Sequence, residues 1–128
     1  MTVQELASAL SLTEFGLPDP DRPVTGGYAG DLLSWVMGRA REGDCWITIM
    51  SNQNVAAVAV LADVGCVLLA EGVRPDEALL ARAAENGVNL LGSERSTFAL
   101  AADVARLLGQ ERDAPPEAPP LSGGRRSD

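Results

Sequence analysis

The segment Cys66-Val67-Leu68-Leu69-Ala70 is a run of five consecutive apolar residues that follows Gly65. A strand with one face in water alternates apolar and polar side chains, whereas an uninterrupted apolar run suits a strand that is covered on both faces. Strands of that kind belong to parallel sheets with helices packed against them. The segment therefore predicts a layered α/β domain with a mainly parallel sheet.

The rest of the chain alternates strand and helix patterns, which is the order that a parallel sheet requires. Strands are predicted at residues 45–50, 66–70 and 88–91, and a weaker signal makes Val24 and Thr25 the end of another. Helices are predicted at residues 3–10, 31–39 and 55–62, from Pro75-Asp76-Glu77 to Asn86-Gly87, and from a Ser96 cap to Leu108. Cys45 and Cys66 lie in apolar strands, and we expect two buried thiols rather than a disulfide or a metal site.

The sequence contains neither histidine nor lysine. Without histidine the chain lacks the usual general base, the usual partner of a nucleophilic serine or cysteine, and the commonest metal ligand. Without lysine it lacks a Schiff-base residue and the phosphate clamp of the GxxxxGK[ST] motif, which is itself absent. We therefore predict a protein that is not an enzyme, with no catalytic residue, cofactor or metal.

The formal net charge of −8 argues against a nucleic-acid surface, which needs clustered cations. The N-terminus lacks the basic start and apolar run of a signal peptide, and no apolar stretch is long enough to span a membrane. These features predict a cytoplasmic protein that contacts neither nucleic acid nor membrane. Residues 1–109 are predicted to form one domain, and the Pro-rich residues 110–128 a disordered tail because they have little to bury.

Three glycines fall within five residues in the segment Thr25-Gly26-Gly27-Tyr28-Ala29-Gly30-Asp31. Such clustering indicates either positive φ angles or the close approach of another group to the backbone. If Thr25 ends a strand, the segment joins the polar loops that follow the other parallel strands at their carboxyl ends, where ligands of such folds bind. The predicted ligand-binding residues are Thr25, Gly26, Gly27, Asn52, Asn54, Glu71 and Ser93.

Each of these residues also has a purely structural interpretation. Asn52, Asn54 and Ser93 are favoured as helix caps, and Glu71 as a solvated loop charge. The glycines would equally permit tight packing against a second subunit. Tyr28, Trp35 and Met37 are the predicted interface residues, because exposed aromatic residues and methionine are enriched at protein contacts.

The sequence resembles the DRTGG domain, a family related to the N-terminal domain of HPr kinase/phosphorylase. The resemblance covers residues 2–108. It rests on Val24-Thr25-Gly26-Gly27-Tyr28-Ala29-Gly30-Asp31-Leu32-Leu33-Ser34, on Trp46-Ile47-Thr48-Ile49 leading to Asn54-Val55-Ala56-Ala57-Val58-Ala59, on Glu71-Gly72 with Pro75-Asp76, and on Ser96-Thr97-Phe98. Two departures stand out: Pro23-Val24 replaces the Asp-Arg that names the motif, and residues 51–54 lack the histidine that relatives often carry.

The resemblance implies a three-layer α/β/α fold that commonly dimerises and serves as a regulatory module. Relatives are often fused to CBS domains or to phosphotransacetylase, and stand-alone members resemble accessory proteins of hydrogenase or electron-transfer systems. The resemblance therefore implies a non-enzymatic regulatory or accessory domain that acts through a homodimer and a partner protein. The alternative is a sensor that binds a small ligand, such as an adenine nucleotide, at Thr25-Gly26-Gly27.

Overall fold

The structure, a computed structural model, describes residues 1–109, which form one sheet and five helices. The strands are β1 (Thr13–Gly16), β2 (Gly26–Ala29), β3 (Asp44–Thr48), β4 (Cys66–Leu69) and β5 (Leu90–Gly92). The helices are α1 (Val3–Ala9), α2 (Leu33–Arg39), α3 (Asn54–Ala62), α4 (Glu77–Glu85) and α5 (Thr97–Gly109). None of the helices in this part of the chain is long and apolar enough to cross a membrane. The predicted tail, residues 110–128, lies outside the described residues.

The sheet has the strand order β1-β5-β4-β3-β2, and every pair is parallel except β1 with β5. Side chains alternate across it, so that Cys45 and Ile47 enter one core layer while Trp46 enters the other. The first layer is closed by α1 and α5, and the second by α2, α3 and α4. This arrangement confirms the predicted three-layer α/β/α fold with a mainly parallel sheet.

The central strands are buried along their whole lengths, which is what the apolar run in β4 predicts. Cys45 and Cys66 are register partners on β3 and β4, and both thiols are buried and free. A hydrogen bond with Cys66, together with burial, raises the pKa of the Cys45 thiol well above its ordinary value. Because only the thiolate is a strong nucleophile, this raised pKa keeps Cys45 unreactive in the folded protein.

The prediction was wrong for the glycine-rich segment, which forms a strand rather than a loop. Val24 and Thr25 precede β2, and Gly26 and Gly27 begin it in register with Asp44 and Cys45 of β3. None of the three glycines has a positive φ angle. Pairing with β3 therefore holds the segment in an extended backbone conformation, which glycine adopts as readily as a turn conformation.

The first edge strand, β1, was not predicted either. Its four residues carry no clear alternation, and its burial pattern is mostly exposed. It is held instead by antiparallel pairing with β5 and by the ring of Phe15, which lies over Gly92. A Cβ on Gly92 would overlap this ring, so a larger residue at that point of β5 would require the Phe15 ring to move.

Helix α2 begins at Leu33, two residues later than the predicted start at Asp31. The carboxylate of Asp31 does not contact the helix end. It accepts hydrogen bonds from the Thr48 hydroxyl at 2.7 Å and from the Ile49 backbone N–H at 3.0 Å. Asp31 thus ties the end of β2 to the end of β3.

Candidate functional site

The carboxyl edge of the sheet contains one place where a crevice is expected. The chain leaves β4 toward α4 in one helical layer and leaves β5 toward α5 in the other. Parallel sheets bind ligands where consecutive connections diverge in this way. Glu71 and Ser93, both predicted as ligand-binding residues, lie in these two loops.

Hydrogen bonds between the two loops close this crevice. The Glu71 N–H donates to the Arg95 carbonyl at 2.8 Å, and the Gly72 N–H donates to the Ser93 carbonyl at 2.9 Å. The Glu71 carboxylate accepts from the Thr97 N–H at 3.0 Å, at the first residue of α5. A carboxylate there satisfies a free helix N–H and favours the helix dipole. Glu71 is therefore an exposed charge that also caps the first turn of α5 in this structure.

The other predicted residues of the carboxyl edge also bond locally. Asn52 Oδ1 accepts from the Asn54 N–H at 2.9 Å, but the N-cap residue of α3 is Gln53, and its side chain makes no capping hydrogen bond. Ser93 Oγ accepts from the Arg95 N–H at 3.1 Å. The structure therefore brings Asn52, Asn54, Glu71 and Ser93 to one edge of the sheet, as the spacing predicted, but the side chains of Asn52, Glu71 and Ser93 each accept a hydrogen bond within the fold.

Thr25, Gly26 and Gly27 lie at the opposite edge, because they begin β2 instead of ending it. The Thr25 hydroxyl donates to the Glu42 carbonyl at 3.3 Å, and its backbone N–H donates to the Gly43 carbonyl at 3.0 Å. The prediction that Thr25, Gly26 and Gly27 lie beside Asn52 and Glu71 is therefore wrong, because the two groups are at opposite edges of the sheet. A single small ligand cannot contact both groups.

A groove runs between β2 and α5, and it includes Gly26 and Gly27. Its volume is about 190 Å³. A Cβ built on Gly27 would lie 3.6 Å from Val104 Cγ1 of α5, so this side of β2 faces the helix. The remaining lining is Tyr28, Ala29, Ile47, Ala101, Val104, Ala105, Leu108 and Gly109. The groove is thus uncharged, with apolar walls and one side formed by strand backbone.

A second exposed apolar area lies on α2 and α3, two helices that pack side by side. Trp35 and Met37 of α2 are each about half exposed, and Val60 and Leu61 of α3 are 49% and 71% exposed. The Arg39 guanidinium stacks on the Trp35 ring at 3.8 Å. We call these four apolar residues the α2/α3 surface. Tyr28, the third predicted interface residue, is half-buried on β2 and packs against the core beneath these helices.

The groove-lining residues of α5 and the exposed residues of α3 were missed by sequence reasoning. Ala101 and Ala105 look like ordinary core alanines of an amphipathic helix, and nothing local shows that a glycine strand lies opposite them. A signal was present for α3, since Asn54–Ala62 is apolar on every side, which indicates a helix that needs covering all round.

Residues 1–109 contain no cluster of three or more cysteine or carboxylate side chains that could hold a metal ion. Three arginines, Arg22, Arg95 and Arg106, are ion-paired with Asp63 or Asp103. The arrangement favours binding of an uncharged group in the groove, or of a protein on the α2/α3 surface.

Three comparisons with known proteins bear on this geometry. A family model for the DRTGG domain matches residues 29–107. Among solved structures, the fold is similar to the CBS and DRTGG domains of the regulatory region of Clostridium perfringens pyrophosphatase, crystallised with its activator, diadenosine tetraphosphate. The TM-score is 0.59 at 13% sequence identity, and the match covers 79% of this chain but only 44% of the other. No curated protein matches the sequence.

Proposed function

Because the chain belongs to the DRTGG domain family, we propose that it is a non-enzymatic regulatory domain that acts as a homodimer and through contact with a partner protein. The observation that carries this proposal is the α2/α3 surface. Large exposed apolar side chains on neighbouring helices are typical of protein contacts, and tryptophan, methionine and arginine are enriched there. A link to hydrogenase or electron-transfer systems stays a prediction from the sequence.

The charge distribution also supports self-association through this surface. The chain carries a net charge of −8, so two copies repel each other on average. Helix α3 has no charged residue from Asn54 to Ala62. Two copies that meet along α3 bury Leu61 without bringing like charges together.

Leu61→Glu is expected to dissociate the homodimer. A charge at a buried interface position costs at least about 2 kcal/mol, which is roughly a 30-fold rise in the dissociation constant. Sedimentation velocity over a concentration series measures this change. The chain mass is 13.4 kDa, so dimer and monomer are well separated.

Phe98→Glu is the matched control, because Phe98 is 85% exposed on α5, in the other helical layer. We expect this variant to remain dimeric. A wild-type chain that sediments as a monomer at micromolar concentrations would contradict the proposal, as would equal dissociation of the two variants.

A second candidate function is a small-ligand sensor, and the groove beside Gly27 favours it. An adenine ring is flat and uncharged, so it suits apolar walls, while strand backbone can bond the edge of the ring. The pyrophosphatase region of similar fold binds an adenine dinucleotide. For this candidate function, the proposed binding site is the groove and not the combined Thr25 and Asn52 site that the sequence predicted.

Diadenosine tetraphosphate or ATP is expected to raise the melting temperature if the groove binds an adenine nucleotide. At 100 times the dissociation constant the stabilisation is about 2.7 kcal/mol. Gly27→Val places a side chain in the groove and should abolish this shift, whereas Asn52→Ala at the opposite edge should retain it. The absence of any shift at millimolar nucleotide would reject this candidate and leave the dimer proposal untouched.

A further inference from the structure

The two edges of the sheet differ in their protection against pairing with another strand. Natural proteins guard sheet edges with charged side chains, prolines or bulges. Strand β1 has such guards, since Glu14 is exposed and the register shifts between Glu14 and Gly16. Strand β2 contains neither charge nor proline and pairs regularly with β3. No strand among residues 1–109 covers its outer side, so β2 is open to pairing.

Gly27 and Ala29 carry the outward backbone groups of this edge. The Gly30 N–H, directly after β2, donates to the carbonyl of Ile47 on β3 at 3.1 Å. Alternate residues of a strand direct their N–H and C=O groups to opposite sides. Counting back from Gly30 in the register with β3, the groups of Gly27 and Ala29 therefore face outward, and both residues are exposed.

We propose that β2 pairs antiparallel with β2 of a second copy of this chain, which joins the five-stranded sheets of two copies into one continuous sheet. In the register that we assign, Tyr28 lies opposite its twin at the twofold axis. Gly27 of each copy then lies opposite Ala29 of the other, and such a pair exchanges two hydrogen bonds. Every outward N–H and C=O group of β2 thus finds a partner. This contact is separate from the α2/α3 surface and does not rest on the proposed homodimer.

The glycines of the segment make room for this pairing. A Cβ on Gly30 would lie 2.9 Å from the Tyr28 ring, so the ring lies over Gly30. In the proposed register Gly26 of the second copy is opposite Gly30, and the Tyr28 ring meets no side chain there. On the other face of the sheet, the pair of Gly27 with Ala29 places only one methyl group between the two α5 helices.

The position of α5 also suits a second copy. Helix α5 packs on β2 and β3. Because neighbouring strands are about 4.8 Å apart, a helix centred over this pair lies about 5 Å from the twofold axis, and the two α5 axes lie about 10 Å apart. Packed helices are separated by roughly 8–10 Å. The second copy therefore covers the groove of about 190 Å³, whose α5 wall includes Ala101 and the exposed Ala105.

The expected affinity is low because the contact is small. Its four hydrogen bonds alone correspond to a dissociation constant of roughly 1 mM, and burial of the apolar groove walls lowers this value to about 100 µM. The net charge of −8 opposes association, but residues 25–30 carry no charge. At this affinity, the micromolar test of Leu61 is unaffected by the pairing of β2.

Disulfide formation in a Tyr28→Cys variant of the full chain tests the register. Opposite residues of a non-hydrogen-bonded antiparallel pair have Cα atoms about 4.5 Å apart, within the range of a disulfide. The native Cys45 and Cys66 are buried, so oxidised glutathione reaches the introduced thiol selectively. At about 100 µM protein we expect a covalent dimer on a non-reducing gel.

Ala29→Cys is the matched control on the neighbouring, exposed position of β2. In the proposed register the two copies of residue 29 are about 8 Å apart, which is too far for a disulfide. Pairing holds the thiols of Tyr28→Cys at an effective concentration of about 1 mM, so this variant should cross-link about tenfold faster than Ala29→Cys. The rate should be unchanged when Leu61→Glu is added, which distinguishes this contact from the α2/α3 homodimer.

Hydrogen exchange of the unmodified protein gives a second readout, which decides alone if Tyr28→Cys does not fold. The amides of Gly27 and Ala29 should exchange about fourfold more slowly at about 1 mM protein than at about 10 µM, because pairing protects them. The amide of Glu14 on β1 should exchange equally at both concentrations.

Three results would overturn the proposal. The first is equal cross-linking of Tyr28→Cys and Ala29→Cys, and the second is cross-linking that Leu61→Glu abolishes. The third is exchange at Gly27 and Ala29 that does not depend on concentration, which would mean that no second copy covers β2.

Discussion

Trp46→Ala is expected to lower the free energy of unfolding by about 3–5 kcal/mol, the range for truncation of a large buried aromatic residue. The Trp46 side chain is fully buried between the sheet and the layer of α2, α3 and α4. Its indole N–H also donates to the Gly30 carbonyl at 2.9 Å. The substitution thus has two effects: it leaves a cavity in the core, and it removes the hydrogen bond that holds the end of β2.

Two further variants separate these effects in urea unfolding followed by far-UV circular dichroism. Trp46→Phe keeps most of the apolar volume but loses the hydrogen bond to Gly30, and we expect a loss of about 1–2 kcal/mol. Trp35→Ala removes the same residue type from a half-exposed position and should cost less than about 1 kcal/mol. Equal losses at Trp46 and Trp35 would contradict the assigned core.

Asn89→Ala is expected to lower the free energy of unfolding by about 2–4 kcal/mol, because it leaves several polar backbone groups without their hydrogen-bond partners. Asn89 is 2% exposed. Its amide donates to the carbonyls of Asp19 and Gly65, at 2.7 and 3.0 Å, and its carbonyl accepts from the Asp19 N–H at 3.0 Å. These bonds hold the connection between β1 and β2 against the amino ends of β4 and β5.

Asn86→Ala is the matched control, since Asn86 is an exposed residue at the end of α4, three positions earlier. We expect a change within about 0.5–1 kcal/mol for this variant, as is typical at surface positions and weak caps. Thermal and urea unfolding of both proteins give the comparison. If the two substitutions cost the same, the buried hydrogen bonds of Asn89 do not hold the connection.

The two sheet edges show where prediction from sequence stops. The central strands could be predicted because a strand that is buried on both faces consists of consecutive apolar residues, and such a run is visible in the sequence. An edge strand such as β1 or β2 is half exposed and short, so its sequence lacks the apolar pattern that would indicate pairing in a sheet. Gly26 and Gly27 fit a turn or a strand equally well, and only the backbone of β3 decides between them.

The candidate site was predictable to the same limited extent. The carboxyl-edge residues were placed correctly because loops after parallel strands always meet there. Their roles were not, because a side chain such as Glu71 has the same chemistry whether it contacts a ligand or the first N–H of α5. That choice depends on which backbone group lies within 3 Å, and residue 97 is 26 positions away along the chain.

The sequence by itself determined the α/β class, the layered arrangement and the absence of histidine and lysine chemistry. These follow from local apolar patterns and from the residue types available, which need no knowledge of contacts. Only the tertiary structure decided that the glycine-rich segment is an edge strand, that it faces α5 across an apolar groove, and that α3 leaves Leu61 in water. Those features depend on which segments meet across long separations, and the physical reason is that the identity of a segment's partner, unlike its own burial or periodicity, is not encoded within a single short segment.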